Sequence, residues 1–382
     1  MATQKISECR QLGRKMTHRP VFLKPWGKIP AKDWTDWRWQ YRNRIRTLPE
    51  LAGLSGLSPE CILSCRPVVG AYPLSITPYY LSLMDPADES DPLRRQCFPH
   101  PDEIRFSLGG VDDPLGEERN MPVPGLVHRY ADRCLILATN ACATYCRHCN
   151  RKRLWKDRSR KGAKASLRPM VHYIAGHPEI REVIVSGGDP LTLPDPMLGW
   201  LLTSLRSVPH IEVIRIGSRA PAAMPMRITR ELCSLLRRHR PLWFNTQFNH
   251  VHEVTAAAAR ACGMLLDAGI PVSNQSVLLR GVNDSCEAMR DLLHALQRIS
   301  VRPYYLFQCD AVKGTDHFHV DLHHGMGMME TLRRSLSGLC MPRYVIDLPG
   351  GMGKLPLQPF TFPSSWPAEE KQHFFDKNPQ ML

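Results

Sequence analysis

The segment Asn140–Trp155 reads NACATYCRHCNRKRLW and contains three cysteines, Cys142, Cys146 and Cys149, spaced C-x3-C-x2-C. Structural zinc sites and electron-transfer clusters normally use four protein ligands. Three thiolates from one short segment instead leave one iron of a [4Fe–4S] cube without a protein ligand. The spacing therefore predicts an iron–sulfur cluster with an open position for chemistry. A zinc knuckle that takes a distant fourth ligand is the alternative.

The same spacing resembles that of the radical S-adenosylmethionine (SAM) enzymes, in which SAM binds the open iron. A second segment fits this interpretation, because an apolar run ends downstream in the residues SGGD. Two adjacent glycines let the backbone approach a ligand closely. This segment resembles the radical SAM element that holds the amino group of SAM, and its residues are Ser186, Gly187, Gly188 and Asp189.

Apolar, β-prone runs recur along the chain, most of them separated by roughly 30 residues with a helical pattern. The runs are Cys134–Ala138, Glu182–Val185, Glu212–Ile216, Leu242–Phe248, Pro271–Leu278, Arg302–Gln308 and Tyr344–Ile346. The intervening helices are expected at Asp195–Ser207, Thr229–His239, Glu253–Ala268 and Ser285–Ile299. Near-continuous apolar strands are typical of a parallel sheet covered by helices, and polar residues follow the strand ends, where barrels build their sites. We therefore expect an α/β fold with a partial (β/α) TIM-type barrel; a doubly wound open sheet is the alternative.

The N-terminal third has a different pattern and predicts a helical extension. We expect one helix over Asp33–Thr47, capped by Asp33 and with Trp34, Trp37 and Ile45 in an apolar stripe, and another over Leu48–Cys65. A third element begins at residue 75. The expected organisation is a mostly helical extension over 1–110, a radical SAM partial barrel over 111–356 and a short tail over 357–382.

The composition of the chain narrows its possible binding partners and its cellular location. The chain has 382 residues, 13 cysteines and a formal net charge of +14. It lacks both a long apolar run and an apolar N-terminal leader, so we expect no membrane association and no secretion. An odd number of scattered cysteines fits a reducing cytoplasm better than a disulfide framework. The basic residues are spread along the chain without a long basic tail, so nucleic-acid binding is not favoured.

A lysine at the end of a glycine-rich segment is the second candidate reactive group. Lys354 ends PGGMGK, but Leu355 stands where a P-loop needs Ser or Thr, and Leu348 stands where it needs its first glycine. A lysine on a glycine turn at an active-site rim is typical of the Schiff-base lysine for pyridoxal 5′-phosphate (PLP). A solvated surface lysine is the alternative.

Charged residues near the strand ends complete the candidate site. Two arginines four residues apart, Arg129 and Arg133, can share a helical or turn face and hold a phosphate. Arg151 follows the last cysteine of the motif and suits a substrate carboxylate. Asp310 and Asp347 follow adjacent strands and suit the cationic end of a substrate. Local ion pairs are the alternative for Arg129, Arg133, Asp310 and Asp347, and helix capping is a further alternative for the two aspartates. A solvated basic face is the alternative for Arg151 and its neighbours Lys152 and Arg153.

Longer motifs resemble a known family. Between Trp34 and Pro356 the chain contains DWRWQ, SITPYYLSL, PVPGLVHRYADR, CATYCRHCNRKR, SGGDPL, IRIGSRAP, NQSVLLRGVND, RPYYLFQCD and DLPGGMGK. Together these segments resemble the lysine 2,3-aminomutases, which use both radical SAM chemistry and PLP. The resemblance covers nearly the whole chain apart from its two ends.

The resemblance assigns a role to each candidate. It implies that Cys142, Cys146 and Cys149 bind the cluster and that Lys354 holds PLP as a Schiff base. It assigns the PLP phosphate to Arg129, Tyr130 and Arg133, the substrate carboxylate to Arg151, and the distal amino group to Asp310 and Asp347. The SAM side would be lined by Ser186, Gly187, Gly188, Asp189 and Gln275.

The implied activity moves the α-amino group of a free basic amino acid to Cβ. The paired Asp310 and Asp347 favour L-lysine, giving β-lysine, and arginine is the alternative because its guanidinium also suits two carboxylates. A related enzyme that makes β-lysine for a translation factor and a non-catalytic zinc- or nucleic-acid-binding module are the other candidates. The expected partners are a flavodoxin- or ferredoxin-type reductant and further copies of the chain in a homo-oligomer.

The sequence departs from the family at several positions. The residues after Lys354 contain no cysteine, although the family carries a zinc-binding Cys cluster there. Ser285 stands at the position of another zinc-ligand Cys, with Cys286 one residue away, so we expect no structural zinc. Gln247 replaces a His beside SAM.

Overall fold

The computed structural model describes residues 29–105, 110–156, 162–348 and 352–357, together with residue 369. Four parts of the sequence predictions lie outside these ranges. They are the N-terminal start, the end of the basic cluster after the cysteines, the first two glycines of PGGMGK and nearly all of the expected tail.

Within the described residues, nine strands form one sheet, and each strand lies beside its neighbour in sequence. The strands are β1 (Leu126–Tyr130), β2 (Arg133–Thr139), β3 (Glu182–Gly187), β4 (Val213–Gly217), β5 (Leu242–Thr246), β6 (Val272–Leu278), β7 (Arg302–Gln308), β8 (Arg343–Asp347) and β9 (Lys354–Pro356). Pairing from β2 to β8 is parallel throughout. The edge strands β1 and β9 pair antiparallel with β2 and β8.

The strand order decides between the two architectures left open by the sequence. A doubly wound sheet reverses its strand order at a switch point, whereas this sheet runs in one direction. Successive right-handed crossovers in one direction place the helices on a single face and leave the other face to enclose a cavity. No pairing within the described ranges joins β1 to β9. The prediction of a partial barrel is therefore confirmed.

Short helices precede the sheet, and longer ones alternate with its strands. The first group comprises α1 (Ala31–Trp34), α2 (Trp37–Arg42), α3 (Leu48–Ser55), α4 (Pro59–Ala71), α5 (Pro78–Leu81), α6 (Pro92–Cys97) and α7 (Asp102–Arg105). The second comprises α8 (Lys164–Ala175), α9 (Asp195–Arg206), α10 (Ala220–Ala223), α11 (Arg230–Arg237), α12 (Ala256–Asp267), α13 (Cys286–Arg298) and α14 (Leu322–Ser335). No helix of the described chain is long and apolar enough to cross a membrane.

The two faces of the sheet differ because successive strand residues point in opposite directions. On β2, Cys134, Ile136 and Ala138 join the main core beneath the helices. The alternate residue Leu135 lines the cavity on the inner face, as does Gln275 on β6. The strand pattern thus gives each strand one apolar face for packing and one face available for the site.

The N-terminal region is helical, but two of its predicted helices are wrong in extent. Instead of one helix over Asp33–Thr47, the chain forms α1 and α2, and Asp36, not Asp33, caps α2 by accepting from the Arg38 N–H at 2.9 Å. The predicted helix over Leu48–Cys65 breaks at Gly56, which has a left-handed φ of 63° that favours glycine. Ile45 lies outside both helices and forms a β-bridge to Ile76.

Candidate active site

One cavity of about 700 Å³ lies on the inner face of the sheet and reaches the carboxyl ends of its strands. The three thiols of the cysteine motif and the Lys354 amine line the same cavity. Every other predicted site residue lines it too, apart from Arg129. Two segments that are widely separated in sequence therefore meet in one cavity, as the sequence interpretation requires.

The cysteines lie on a loop after β2, which we call the thiol loop (residues 140–152). The N-terminal region holds this loop through backbone hydrogen bonds: Tyr145 N–H donates to Ser75 O at 2.8 Å, and Arg147 N–H donates to Gln96 O of α6 at 2.7 Å. The three thiols are free, and burial raises the pKa of Cys149 to about 11. Protonated thiols in this protein must therefore lose their protons on binding a metal.

The three motif cysteines line the cavity from a single loop. No group of three or more His, Cys, Asp or Glu side chains in the described ranges is arranged to hold a single metal ion. In a [4Fe–4S] cube each thiolate binds a different iron, and Cys142, Cys146 and Cys149 are all available to the cavity for this. The thiol loop therefore fits the predicted cluster.

A buried arginine for which no role was predicted lies against the thiol loop. Arg219, at the start of α10, donates from Nη1 to Cys146 Sγ at 2.7 Å. Its Nη2 donates to Gln96 at 2.6 Å and to the Tyr80 hydroxyl at 2.9 Å, and it forms an ion pair with Glu253. Burial alone would lower the pKa of Arg219, but Cys146, Tyr80 and Glu253 outweigh burial and raise it, so the guanidinium stays charged.

The SGGD segment closes tightly against the thiol loop. Gly187 has a φ of 120°, a backbone conformation that residues other than glycine rarely adopt. At Gly188 a Cβ would lie 2.7 Å from the Asn140 carbonyl carbon, so only glycine fits. The buried Asp189 accepts from Ser218 Oγ at 2.7 Å and from the Arg219 N–H at 3.0 Å. These bonds anchor the segment, and all four of its residues line the cavity.

Lys354 reaches the cavity from β9, opposite Asp347 on β8. Its Nζ lies 2.9 Å from Asp347 Oδ2 and 5.7 Å from the centre of the Phe307 ring. Arg129 Nη2 binds the other oxygen of Asp347 at 2.7 Å, and Nη1 donates to Leu115 O at 3.1 Å. Asp347 thus binds one cationic side chain from each of the two antiparallel strand pairs at the edges of the sheet, Arg129 from β1 and Lys354 from β9.

The predicted phosphate residues do not share a helical or turn face. Arg129 and Tyr130 lie on β1, and Arg133 begins β2, so the three belong to an antiparallel hairpin in which Tyr130 is opposite Arg133. That part of the prediction is wrong because the short HRYADR segment forms a strand, a tight turn and the start of the next strand. The Arg133 guanidinium lies 3.9 Å from the Tyr130 ring centre and pairs with Asp132 at 2.6 Å.

The predicted substrate residues carry partners of their own. Burial, and to a smaller extent repulsion from Asp347, raises the pKa of Asp310 to about 6. A hydrogen bond from the Asn150 side chain at 3.0 Å partly opposes the rise. Arg151 forms a two-pronged ion pair with Glu117, with the shortest distance 2.6 Å. Burial alone would raise the pKa of Glu117, but Arg151 outweighs it and lowers the value to about 2.

Ser285 and Gln247, two residues at which the sequence departs from the family, have different surroundings in the structure. Ser285 Oγ accepts from the Ala288 N–H at 3.1 Å and so caps α13. Gln247 lines the cavity after β5, close in sequence to Asn245 and Thr246, which also line it. The absence of structural zinc stays a prediction.

Comparisons with known proteins agree with this geometry. A family model described as the radical SAM superfamily matches residues 136–293. The L-lysine 2,3-aminomutase of Clostridium subterminale is 46% identical over 331 residues, covering 87% of this chain and 80% of that protein. The chain belongs to the lysine 2,3-aminomutase family. The L-lysine 2,3-aminomutase of Bacillus subtilis (strain 168) is 44% identical over 87% of this chain and 71% of that protein. The glutamate 2,3-aminomutase of Clostridioides difficile (strain 630) is 40% identical over 86% of this chain and 78% of that protein.

Membership of the lysine 2,3-aminomutase family confirms the prediction of a radical SAM isomerase. It also supports the [4Fe–4S] cluster and SAM, for which the thiol loop and the SGGD segment supply a matching cavity wall. The family includes proteins named for lysine and for glutamate, so membership alone leaves the substrate open.

Several residues of this lysine 2,3-aminomutase family member were missed because their partners are distant in sequence. Glu117 pairs with Arg151, and Glu253 pairs with Arg219. The arginine of IRIGSRAP was quoted as part of a motif without a role. A polar residue directly after a predicted strand was the available signal for Arg219, because such positions reach the carboxyl edge of a parallel sheet.

Proposed function

We propose that this chain is a PLP-dependent 2,3-aminomutase that moves the α-amino group of a basic amino acid, L-lysine first, to Cβ. The observation that carries the proposal is the meeting of the three thiols and the Lys354 amine in one cavity. SAM bound at the cluster would supply a carbon-centred radical, and PLP would supply an imine through which the amino group migrates. Both reactive centres must share one space that excludes water, because a free radical would be quenched.

Lys354 is the group that fits PLP. Its amine faces the cavity, and its side chain remains 27% exposed, so an aldehyde can reach it. Tyr130 and Arg133 line the same cavity and would hold the phosphate. Arg129 lies behind them and would act on the phosphate only after exchanging part of its contact with Asp347.

Substrate choice would follow from the carboxylates. Asp310 and Asp347 both line the cavity, and their mutual repulsion is relieved when a cation lies between them. When Lys354 is engaged by an aldehyde, its ammonium no longer occupies Asp347 Oδ2. That oxygen then becomes available to the distal amino group of lysine. The same pair would repel the side chain of glutamate.

The opposite end of the substrate would meet Arg151. Glu117 occupies Nε and Nη2 of this arginine, which also lines the cavity. A side chain already fixed by a carboxylate loses little entropy when it binds another one. Arg151 would therefore hold the α-carboxylate without a large rearrangement.

Arginine is the second candidate substrate, because a guanidinium also pairs with two carboxylates. We further propose a flavodoxin- or ferredoxin-type electron donor, a homo-oligomeric assembly and a cytoplasmic location.

The test uses anaerobically purified protein with a reconstituted cluster, SAM, PLP and a reductant. L-Lysine, L-arginine and L-glutamate are supplied separately, and β-amino acid products are identified by mass spectrometry. We expect β-lysine from lysine and no product from glutamate. Turnover of arginine without turnover of lysine would overturn the substrate assignment.

The matched control is Lys354→Ala. The variant should lose the visible absorbance of the PLP–lysine adduct while keeping its iron content. Retention of that absorbance would remove Lys354 from its proposed role.

A further inference from the structure

The contact between Arg219 and the thiol loop has a consequence for electron transfer. Within the described residues, only the Arg219 side chain donates a hydrogen bond to a thiol of the cysteine motif, with Nη1 2.7 Å from Cys146 Sγ. Cys149 accepts only a backbone N–H, from Arg151, at 3.4 Å. The three cysteines are therefore unequal, and a full positive charge lies beside one of them.

The Arg219 guanidinium is held from several sides. It forms an ion pair with Glu253, whose side chain is fully buried, and it donates to the Tyr80 hydroxyl at 2.9 Å. The same hydroxyl donates to Glu253 at 2.7 Å. The backbone N–H of Arg219 is fixed by Asp189 at 3.0 Å. With its carboxylate partner, backbone and hydroxyl contact all in place, the guanidinium cannot turn away from Cys146 without breaking buried bonds.

Charge at this position acts directly on a cluster. Reduction adds one negative charge to the cluster and its thiolates, and hydrogen bonds to the sulfurs are among the factors that set the potential. In a buried site of low dielectric constant, a fixed positive charge stabilises the reduced form more than it would in water. A buried negative charge at Glu253 opposes that effect from a greater distance.

We propose that Arg219 is a positioning residue that raises the reduction potential of the cluster by donating to Cys146, and that Glu253 and Tyr80 hold it there. The inference concerns the cluster that the family assignment supports. It does not depend on PLP or on the choice of amino acid.

The experiment is a redox titration of the reconstituted full-length protein, with dithionite supplying the electron and EPR following the reduced cluster. In Arg219→Lys, which keeps the charge but loses the fork of donors, we expect the potential to fall. In Arg219→Met we expect a larger fall, with the ratio of reduced to oxidised cluster at a fixed potential lower by tenfold or more. Tenfold corresponds to 59 mV for a one-electron couple.

Glu253→Gln should shift the reduction potential in the opposite direction, because it removes a buried negative charge while keeping the side-chain shape. Its potential should rise above that of the wild type. A merely structural role would change iron content in all these variants and would not shift the potential in opposite directions. Equal potentials in Arg219→Lys, Glu253→Gln and wild type, or shifts of the same sign, would overturn the proposal.

A matched pair of tyrosines provides the control. Tyr80 and Tyr79 are adjacent and buried on α5, but the Tyr79 hydroxyl bonds Thr255 at 2.6 Å and does not contact Arg219. Tyr80→Phe should lower the potential, whereas Tyr79→Phe should leave it at the wild-type value. If Arg219→Met fails to retain iron, the result rests on Glu253→Gln and on the two tyrosine variants.

Discussion

Replacing Glu103 by Gln tests what fixes the thiol loop. The Glu103 side chain is fully buried and binds two cations of that loop, Arg147 at 2.6 Å and Lys152 at 2.8 Å. Arg147 lies between two motif cysteines, so this carboxylate joins α7 to the loop that would carry the cluster. The buried position of Lys152 also shows that it is not part of a solvated basic face.

The expected magnitude follows from burial. Removing one partner of a buried ion pair typically costs about 3–5 kcal/mol, because the remaining charge is left uncompensated. We expect Glu103→Gln to lose free energy of unfolding in this range and to lower the iron content of the purified protein. Deprotonation of Lys152 limits the loss, since burial, only partly offset by Glu103, already lowers its pKa to about 8.

The measurement is urea unfolding of the cluster-free protein, followed by circular dichroism. Glu118→Gln is the control, because Glu118 pairs with Arg153 at 2.9 Å but its side chain is 64% exposed. Exposed pairs contribute about 0–1 kcal/mol, so this variant should unfold near the wild-type midpoint. Equal losses in the two variants would refute the argument that burial makes Glu103 important.

The other predictions concern the effect of pH on binding and stability, and the space available for a side chain at two glycines. Since the pKa of Asp310 is about 6, its carboxylate becomes protonated as pH falls through 6. The KM for lysine should therefore rise below pH 6 in wild type, while Asp310→Asn should show a high KM that is independent of pH. Lys152 binds more protons in the unfolded chain between its folded pKa of about 8 and the ordinary value of about 10.4. Stability should rise with pH across that window, and urea unfolding of Lys152→Met should show a smaller rise. Gly188→Ala should lower iron content because a Cβ would press on Asn140, whereas Gly263→Ala, with open space around it, should keep iron and gain up to about 1 kcal/mol.

Much of the sheet was predictable because buried parallel strands carry a strong local signal. The run Arg302–Gln308 matches β7 at both ends, and the run Glu182–Val185 differs from β3 by two residues. The edge strands β1 and β9 were missed since they are short, polar and paired on one side only. In α1 and α2 the local helical pattern was right, but the helix breaks at Thr35, and Trp37 beyond the break packs in one cluster with Ala143 of the thiol loop, a contact distant in sequence.

The candidate site was predictable where a residue type and its position on a strand end act together. Cys142, Lys354 and Asp310 were found in this way, and all three line the cavity. The ion-pair partners Glu117 and Glu253 were not, because nothing in a local pattern tells which of many acidic residues will face a given arginine. Their identification needed the folded chain.

The placement of the cavity groups at opposite ends of the sheet bears on biosynthesis. The last motif cysteine, Cys149, and Lys354 are separated by 205 positions (354 − 149). At typical ribosomal rates of about 5–20 residues per second, the thiols emerge roughly 10–40 s before the lysine. The thiols are therefore synthesised well before the strand that carries Lys354 completes the wall of the cavity.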